Sequence, residues 1–102
     1  MIKLNAKVLR VASAREEEKQ HLEKNPIYII VDNVLDTYNV GAIFRLADAV
    51  AVRKVYLCGG TGTPPNHRIK KASINTTEWV DWEYAETAVG VIERLKSQVP
   101  DI

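Results

Sequence analysis

Asn39, Gly41 and Arg45 fall within Asp36-Thr37-Tyr38-Asn39-Val40-Gly41-Ala42-Ile43-Phe44-Arg45, and their types and spacing can do chemistry. An arginine offers five N–H donors in a planar fork, which suits a phosphate or a ribose-phosphate backbone better than lysine does. Asn39 can cap a helix through its side-chain oxygen or face a ligand. Gly41 stands where a better helix former would be preferred by about 1 kcal/mol, which marks a close approach to the backbone. Arg45 and Asp48 are also spaced for an exposed ion pair. Such a pair contributes only about 0–1 kcal/mol, so stability gives little reason for the arginine.

A second group lies downstream. Residues 53–71 hold five basic and no acidic side chains, although the whole chain balances 14 Lys+Arg against 13 Asp+Glu. Within that block His67, Arg68, Lys70 and Lys71 follow Gly59-Gly60-Thr61-Gly62-Thr63-Pro64-Pro65, whose prolines stiffen the exit. This cluster can meet nucleic-acid phosphates, or it can be a solvated turn. The glycine loop lacks the Gly-Lys-Ser/Thr ending of a P-loop and the spacing of a dinucleotide fingerprint. Trp79, Trp82 and Tyr84 can stack on bases, but their alternation favours partial core burial. Neither His21 nor His67 has a second metal-type ligand nearby, so no metal is expected. Cys58 ends an apolar run and is expected to be buried and unreactive.

These groups need elements to hold them. The stretch from Met1 to Lys24 favours helix, with Ser13-Ala14-Arg15-Glu16 reading as a capping box, and Asn25-Pro26 ends it. Ile27-Tyr28-Ile29-Ile30-Val31 is apolar on both faces, as in a central parallel strand. Val40, Ile43, Phe44, Ala47 and Ala51 give an amphipathic helix, and Val55-Tyr56-Leu57-Cys58 a second buried strand. Strand, helix, strand of this length implies parallel pairing, and ligands in such open sheets bind beyond the strands' carboxyl ends. Residues 66–77 read as irregular or briefly helical, Glu78-Trp79-Val80-Asp81-Trp82 as a short third strand. Ala85, Ala88, Val89, Ile92 and Leu95 form the stripe of a closing helix that Pro100 ends.

With 102 residues the chain is one small domain, and its longest apolar run, five residues, is far short of the ~20 that span a bilayer. No export signal is apparent, so a cytoplasmic protein is expected. The last residues fall where an α/β chain would begin another strand, and the chain looks cut short.

Taken together, Asn39 to Ala49, Lys54 to Gly59, Pro64-Pro65 and Arg68-Ile69-Lys70-Lys71 resemble the SpoU-type RNA ribose methyltransferases of the SPOUT superfamily. The resemblance covers roughly residues 26–98 and rests on an N-x-G-x-x-x-R-x-A pattern directly after an apolar strand. Ala72-Ser73-Ile74-Asn75-Thr76-Thr77 departs from the small-residue stretch that the family pattern has there.

The resemblance implies an α/β fold with an open, mainly parallel sheet and flanking helices. It would be the Rossmann-like front half of a trefoil-knot methyltransferase, with the knot-forming part missing. Residues 1–25 would be a helical N-terminal extension and 26–102 a truncated SpoU-type methyltransferase domain. The implied activity is transfer of a methyl group from S-adenosylmethionine to a ribose 2′-hydroxyl of tRNA or rRNA, by an enzyme acting as a homodimer. Asn39 and Arg45 would be catalytic, and Gly41 structural at the site. His67, Arg68, Lys70 and Lys71 are the candidate RNA contacts. Residues binding the methyl donor are expected beyond Ile102, so this chain alone is expected to be inactive. A non-catalytic RNA-binding or dimerisation module is the alternative.

Overall fold

The computed structural model describes residues 23–99, so the expected N-terminal helix with its capping box, and Pro100, lie outside the described residues. Pro26 disfavours helical backbone at Asn25, and the β-branched run after it forms β1, Asn25–Asp32. Helix α1, Thr37–Ala49, leads to β2, Val52–Cys58. Helix α2, His67–Ser73, and a 3-10 turn, Thr76–Glu78, precede β3, Trp82–Ala85, and helix α3, Ala88–Gln98. The strands form one parallel sheet in the order β1-β2-β3, with Val31 opposite Leu57 and Val55 opposite Trp82. This is the open parallel α/β sheet that the strand-helix-strand pattern predicts.

Side chains alternate along a strand, so the sheet has two apolar faces. Val31, Val55 and Leu57 pack with Val40, Phe44 and Ala47 of α1, Ile69 of α2 and Val80. Tyr56 and Cys58 pack on the other face with Val91 and Leu95 of α3, joined by Tyr28 and Ile30. Each large side chain buried this way contributes about 1.5–3 kcal/mol. Among the described residues β1 is an edge strand, not a central one, and Ile27 is exposed. Its two-sided apolar character comes from having helices on both faces.

Two further expectations need correction. Trp79 and Val80 donate their backbone N–H groups to the Thr76 carbonyl, so they cannot join a ladder, and β3 begins only at Trp82. In the closing helix the buried residues are Val91 and Leu95, while Val89 is 64% and Ile92 42% exposed. Thr87 caps this helix by accepting from Gly90 N, and Ala85 belongs to β3. The register set by that cap turns Val91 and Leu95, four apart, toward Tyr56 and Cys58.

Helix α3 is also tied to the sheet by charge. Arg94 Nη2 lies 2.5 Å from Glu83 Oε2, and Lys54 Nζ 3.0 Å from Oε1. Both cations sit over the Tyr56 ring, at 5.2 and 5.4 Å from its centre. Hydrogen bonds from Arg94 and then Lys54 hold the Glu83 carboxyl below its ordinary value. A depressed carboxyl stabilises the fold above the unfolded pKa, and that contribution disappears as pH falls through the folded pKa. Glu83→Gln is therefore expected to be less stable than the wild type at neutral pH, with the difference narrowing below the usual carboxylate range. Urea unfolding at a series of pH values checks this, and a pH-independent difference would contradict it.

Candidate functional site

The site is built where β1 and β2 end. Asp32-Asn33-Val34 and Gly59-Gly60-Thr61 are stitched together side by side. Asn33 donates its backbone N–H to Cys58 O at 3.1 Å, and its Oδ1 accepts from Gly60 N at 2.7 Å. Thr61 Oγ1 accepts from Val34 N at 3.0 Å and donates to Cys58 O at 2.8 Å. Asn33 adopts φ 54°, a left-handed conformation that asparagine tolerates better than most residues. These two residues fix where α1 starts and were not candidates from the sequence. Their bonds join residues 27 apart, and the only local signal is an asparagine directly after a strand.

Asp36, rather than Asn39, is the N-cap of α1. Its Oδ1 accepts from Tyr38 N at 2.9 Å and Asn39 N at 3.4 Å. This corrects the capping alternative for Asn39, which lies inside the first turn with an exposed side chain. Gly41 is buried beneath α2. A Cβ there would stand 2.5 Å from Ala72 Cβ and 2.7 Å from the Ile69 carbonyl oxygen. Arg45 is exposed, and its side chain makes no hydrogen bond or ion pair among the described residues. Asn39 and Arg45 share the exposed arc of α1, separated by about 120° around the axis and about 9 Å along it. Exposed Tyr38 and Leu46 lie on the same arc, and Leu35 is exposed just before the helix.

The glycine loop is not an open cradle. Gly59 has φ 63°, and a Cβ there would run into the Asn33 side chain. Cβ atoms at Gly60 and Gly62 would come within 3.1 Å of Leu35 Cδ2 and 2.9 Å of Thr37 Cγ2. The loop is thus filled by its own chain. Beyond it, Asn66 caps α2 by accepting from Arg68 N and Ile69 N. Ile69, Ala72 and Ser73 turn inward, and His67, Arg68, Lys70 and Lys71 are exposed together on the outer side. Helix α2 therefore presents its cations on an element packed against α1 at Gly41. Between α2 and the 3-10 turn lies an open cleft of ≈ 540 Å³, lined on the α2 side by His67 and Lys70.

The remaining candidates fall in the core. Trp79 is buried and Trp82 packs against the α1 side of the sheet, leaving only Tyr84 of the three aromatics exposed. The Tyr84 hydroxyl donates to Gly59 O at 2.9 Å. Cys58 is fully buried, and burial, followed by the Asp32 carboxylate, pushes its thiol up, which suppresses thiolate reactivity. Among the described residues no group of three His, Cys, Asp or Glu can hold a metal, and no helix is long and apolar enough to cross a membrane.

The class that the structure defines is an open parallel α/β fold, with an exposed asparagine and arginine on the helix after its first strand and a basic helix packed beside it. The model of the SpoU rRNA Methylase family matches residues 26–100, and the chain belongs to that family. Its fold is similar to the SpoU methyltransferase AviRb from Streptomyces viridochromogenes, solved in complex with the cofactor AdoMet. The TM-score is 0.66 at 14% identity, over 86% of this chain and 33% of that one. It is also similar to an rRNA methyltransferase from Sinorhizobium meliloti, with TM-score 0.62 and 26% identity over 72% of this chain and 29% of that one. The chain thus spans about a third of the length of these proteins. No curated protein matches it. In the glycine-rich loop the space a Cβ would need at Gly59, Gly60 and Gly62 lies against Asn33, Leu35 and Thr37, so these glycines serve the packing of the chain itself and do not mark a cradle for S-adenosylmethionine.

Proposed function

We propose that this chain is the RNA-facing part of an S-adenosylmethionine-dependent methyltransferase that modifies a ribose 2′-hydroxyl of tRNA or rRNA. The observation that carries the reading is Arg45, exposed and unpaired among the described residues, on the helix after β1 in a chain of the SpoU family. A ribose hydroxyl is a weak nucleophile, so the protein must orient it and help its proton leave. Arg45 has the donor fork to hold the ribose-phosphate, and its positive charge favours the developing alkoxide. A guanidinium stays protonated at neutral pH, so its role is electrostatic positioning and not proton abstraction. Asn39, on the same arc, offers a donor and an acceptor to the sugar. The methyl donor is held by residues other than those described. The exposed Leu35, Tyr38 and Leu46 support a homodimer in which the second subunit borders the ribose site, since Tyr38 and Leu46 share the arc of α1 with Arg45 and Asn39.

The test is methylation by the full-length protein. Radiolabelled methyl from S-adenosylmethionine should enter RNA and be recovered as 2′-O-methylated nucleosides after complete nuclease digestion. Label recovered only on bases, or none at all, would overturn the reading.

Arg68, Lys70 and Lys71 are proposed to meet the RNA backbone, with His67 beside them. Each phosphate neutralised on single-stranded RNA contributes about 0.7 to the slope of log affinity against log salt. Replacing all three cations with alanine is expected to weaken RNA binding and flatten that slope by about 2. Titrations at several salt concentrations measure this, and an unchanged slope would remove the patch from the interface.

A further inference from the structure

We propose that the cleft between α2 and the 3-10 turn receives one unpaired RNA base bearing an exocyclic amino group, and that Glu78 reads that group. The inference rests on the RNA-binding reading above and gives it a base-recognition subsite. At ≈ 540 Å³ the cleft lies within the range of pockets that enclose small ligands. Its lining divides by chemistry. Pro64, Pro65 and His67 offer flat apolar or aromatic surface against which a base can stack. Lys70, Thr77 and Glu78 add a cation, a hydroxyl and a carboxylate. Asn66 commits its Oδ1 to Arg68 N at 2.9 Å and Ile69 N at 3.2 Å, which leaves its amide nitrogen as a donor at the rim.

The carboxylate decides the ligand. A phosphate set against Glu78 meets like charge, so the cleft is ill suited to the backbone, which Arg68 and Lys71 on the outer side of α2 can hold instead. An ionised carboxylate only accepts hydrogen bonds. Adenine, cytosine and guanine carry amino donors, whereas uracil presents a single N–H between two carbonyl oxygens that a carboxylate repels. The Asn66 amide nitrogen can donate to the acceptor that neighbours the amino group.

The backbone behind this wall points the same way. Ile74 and Asn75 are consecutive left-handed residues, with φ 52° and 63°, and for a β-branched isoleucine that conformation is strained. The turn it makes after α2 brings Thr77 and Glu78 back to the cleft lining. It lies in the segment where this sequence departs from the small-residue pattern of the family it resembles.

Anisotropy titrations of the full-length protein with short labelled oligomers of A, C or U, at one salt concentration, test the proposal. Oligo-A and oligo-C are expected to bind about tenfold more tightly than oligo-U. Glu78→Gln and Glu78→Ala should each erase that preference without weakening oligo-U, and circular dichroism confirms that both variants fold. Equal binding of the three oligomers by the wild type, or a preference that survives in both folded variants, overturns the base pocket and leaves the RNA reading standing. No detectable binding of any of the three oligomers overturns both.

Discussion

Arg45→Ala in the full-length protein is expected to lower methyl incorporation by about 100- to 1,000-fold, the range seen when one positioning or electrostatic donor is lost. Thermal stability should be unchanged, because an exposed side chain with no ion pair among the described residues leaves no cavity and no orphaned partner. Arg45→Lys separates the contributions of charge and shape. If the planar fork matters, lysine restores only a small part of the activity. The kinetic split locates the effect. A group acting at the reacting hydroxyl lowers kcat, whereas one that merely anchors RNA raises KM and leaves kcat alone. Full activity in Arg45→Ala would remove the arginine from the site. A large fall in melting temperature would mean that its role is structural.

Most of the fold was legible because the local signals agree with one another. Pro26 followed by a β-branched run, then Val40, Phe44 and Ala47 at helical spacing, define β1 and α1 without tertiary information. The errors arise where one local pattern admits two solutions. Asp36 and Asn39 can both cap a helix, and Asp36 does so because the helix starts one turn earlier than the Asn39 alternative assumes. In residues 78–82 the polar and apolar alternation suits a strand, yet the Thr76 carbonyl takes the N–H groups of Trp79 and Val80 and makes a turn. In α3 the apolar stripe is wider than the face the sheet can cover, so Val89 and Ile92 stay exposed while Val91 and Leu95 are covered.

The candidate site is legible in its residue types but not in its joinery. Arg45 and the α2 cations stand out as charges with no evident structural need. Asn33 and Thr61 left almost no trace, since their work is done across a gap of 27 residues by hydrogen bonds whose partners are mostly backbone groups. The cleft is likewise a product of packing. Its lining comes from two stretches, residues 64–70 and 75–78, on either side of the last turn of α2, and only the folded chain sets Glu78 in the same cleft as Lys70.

Gly41→Ala is expected to be the most damaging small substitution. Alanine is the better helix former by about 1 kcal/mol, so propensity alone predicts stabilisation. Packing opposes it. The new Cβ would lie 2.5 Å from Ala72 Cβ, 2.7 Å from Ile69 O and 3.1 Å from Ser73 N. Two of those atoms are backbone and the third is on an alanine with no rotamer to change, so α2 must shift as a unit. Overpacking of this kind typically costs about 1–3 kcal/mol, and the net effect is a loss of stability. In a domain of this size each kcal/mol lowers the melting temperature by roughly 4–8 °C. Because α2 carries Arg68, Lys70 and Lys71, its displacement should also weaken RNA binding in the fraction that stays folded. Ala72→Gly removes the closest atom but leaves the Ile69 carbonyl, so the double variant Gly41→Ala/Ala72→Gly should recover only part of the loss. Their double-mutant cycle should show coupling of about 0.5–3 kcal/mol. A Gly41→Ala protein as stable as the wild type, with unchanged RNA affinity, would mean that α2 yields freely and that Gly41 does not set the spacing between Arg45 and the basic helix.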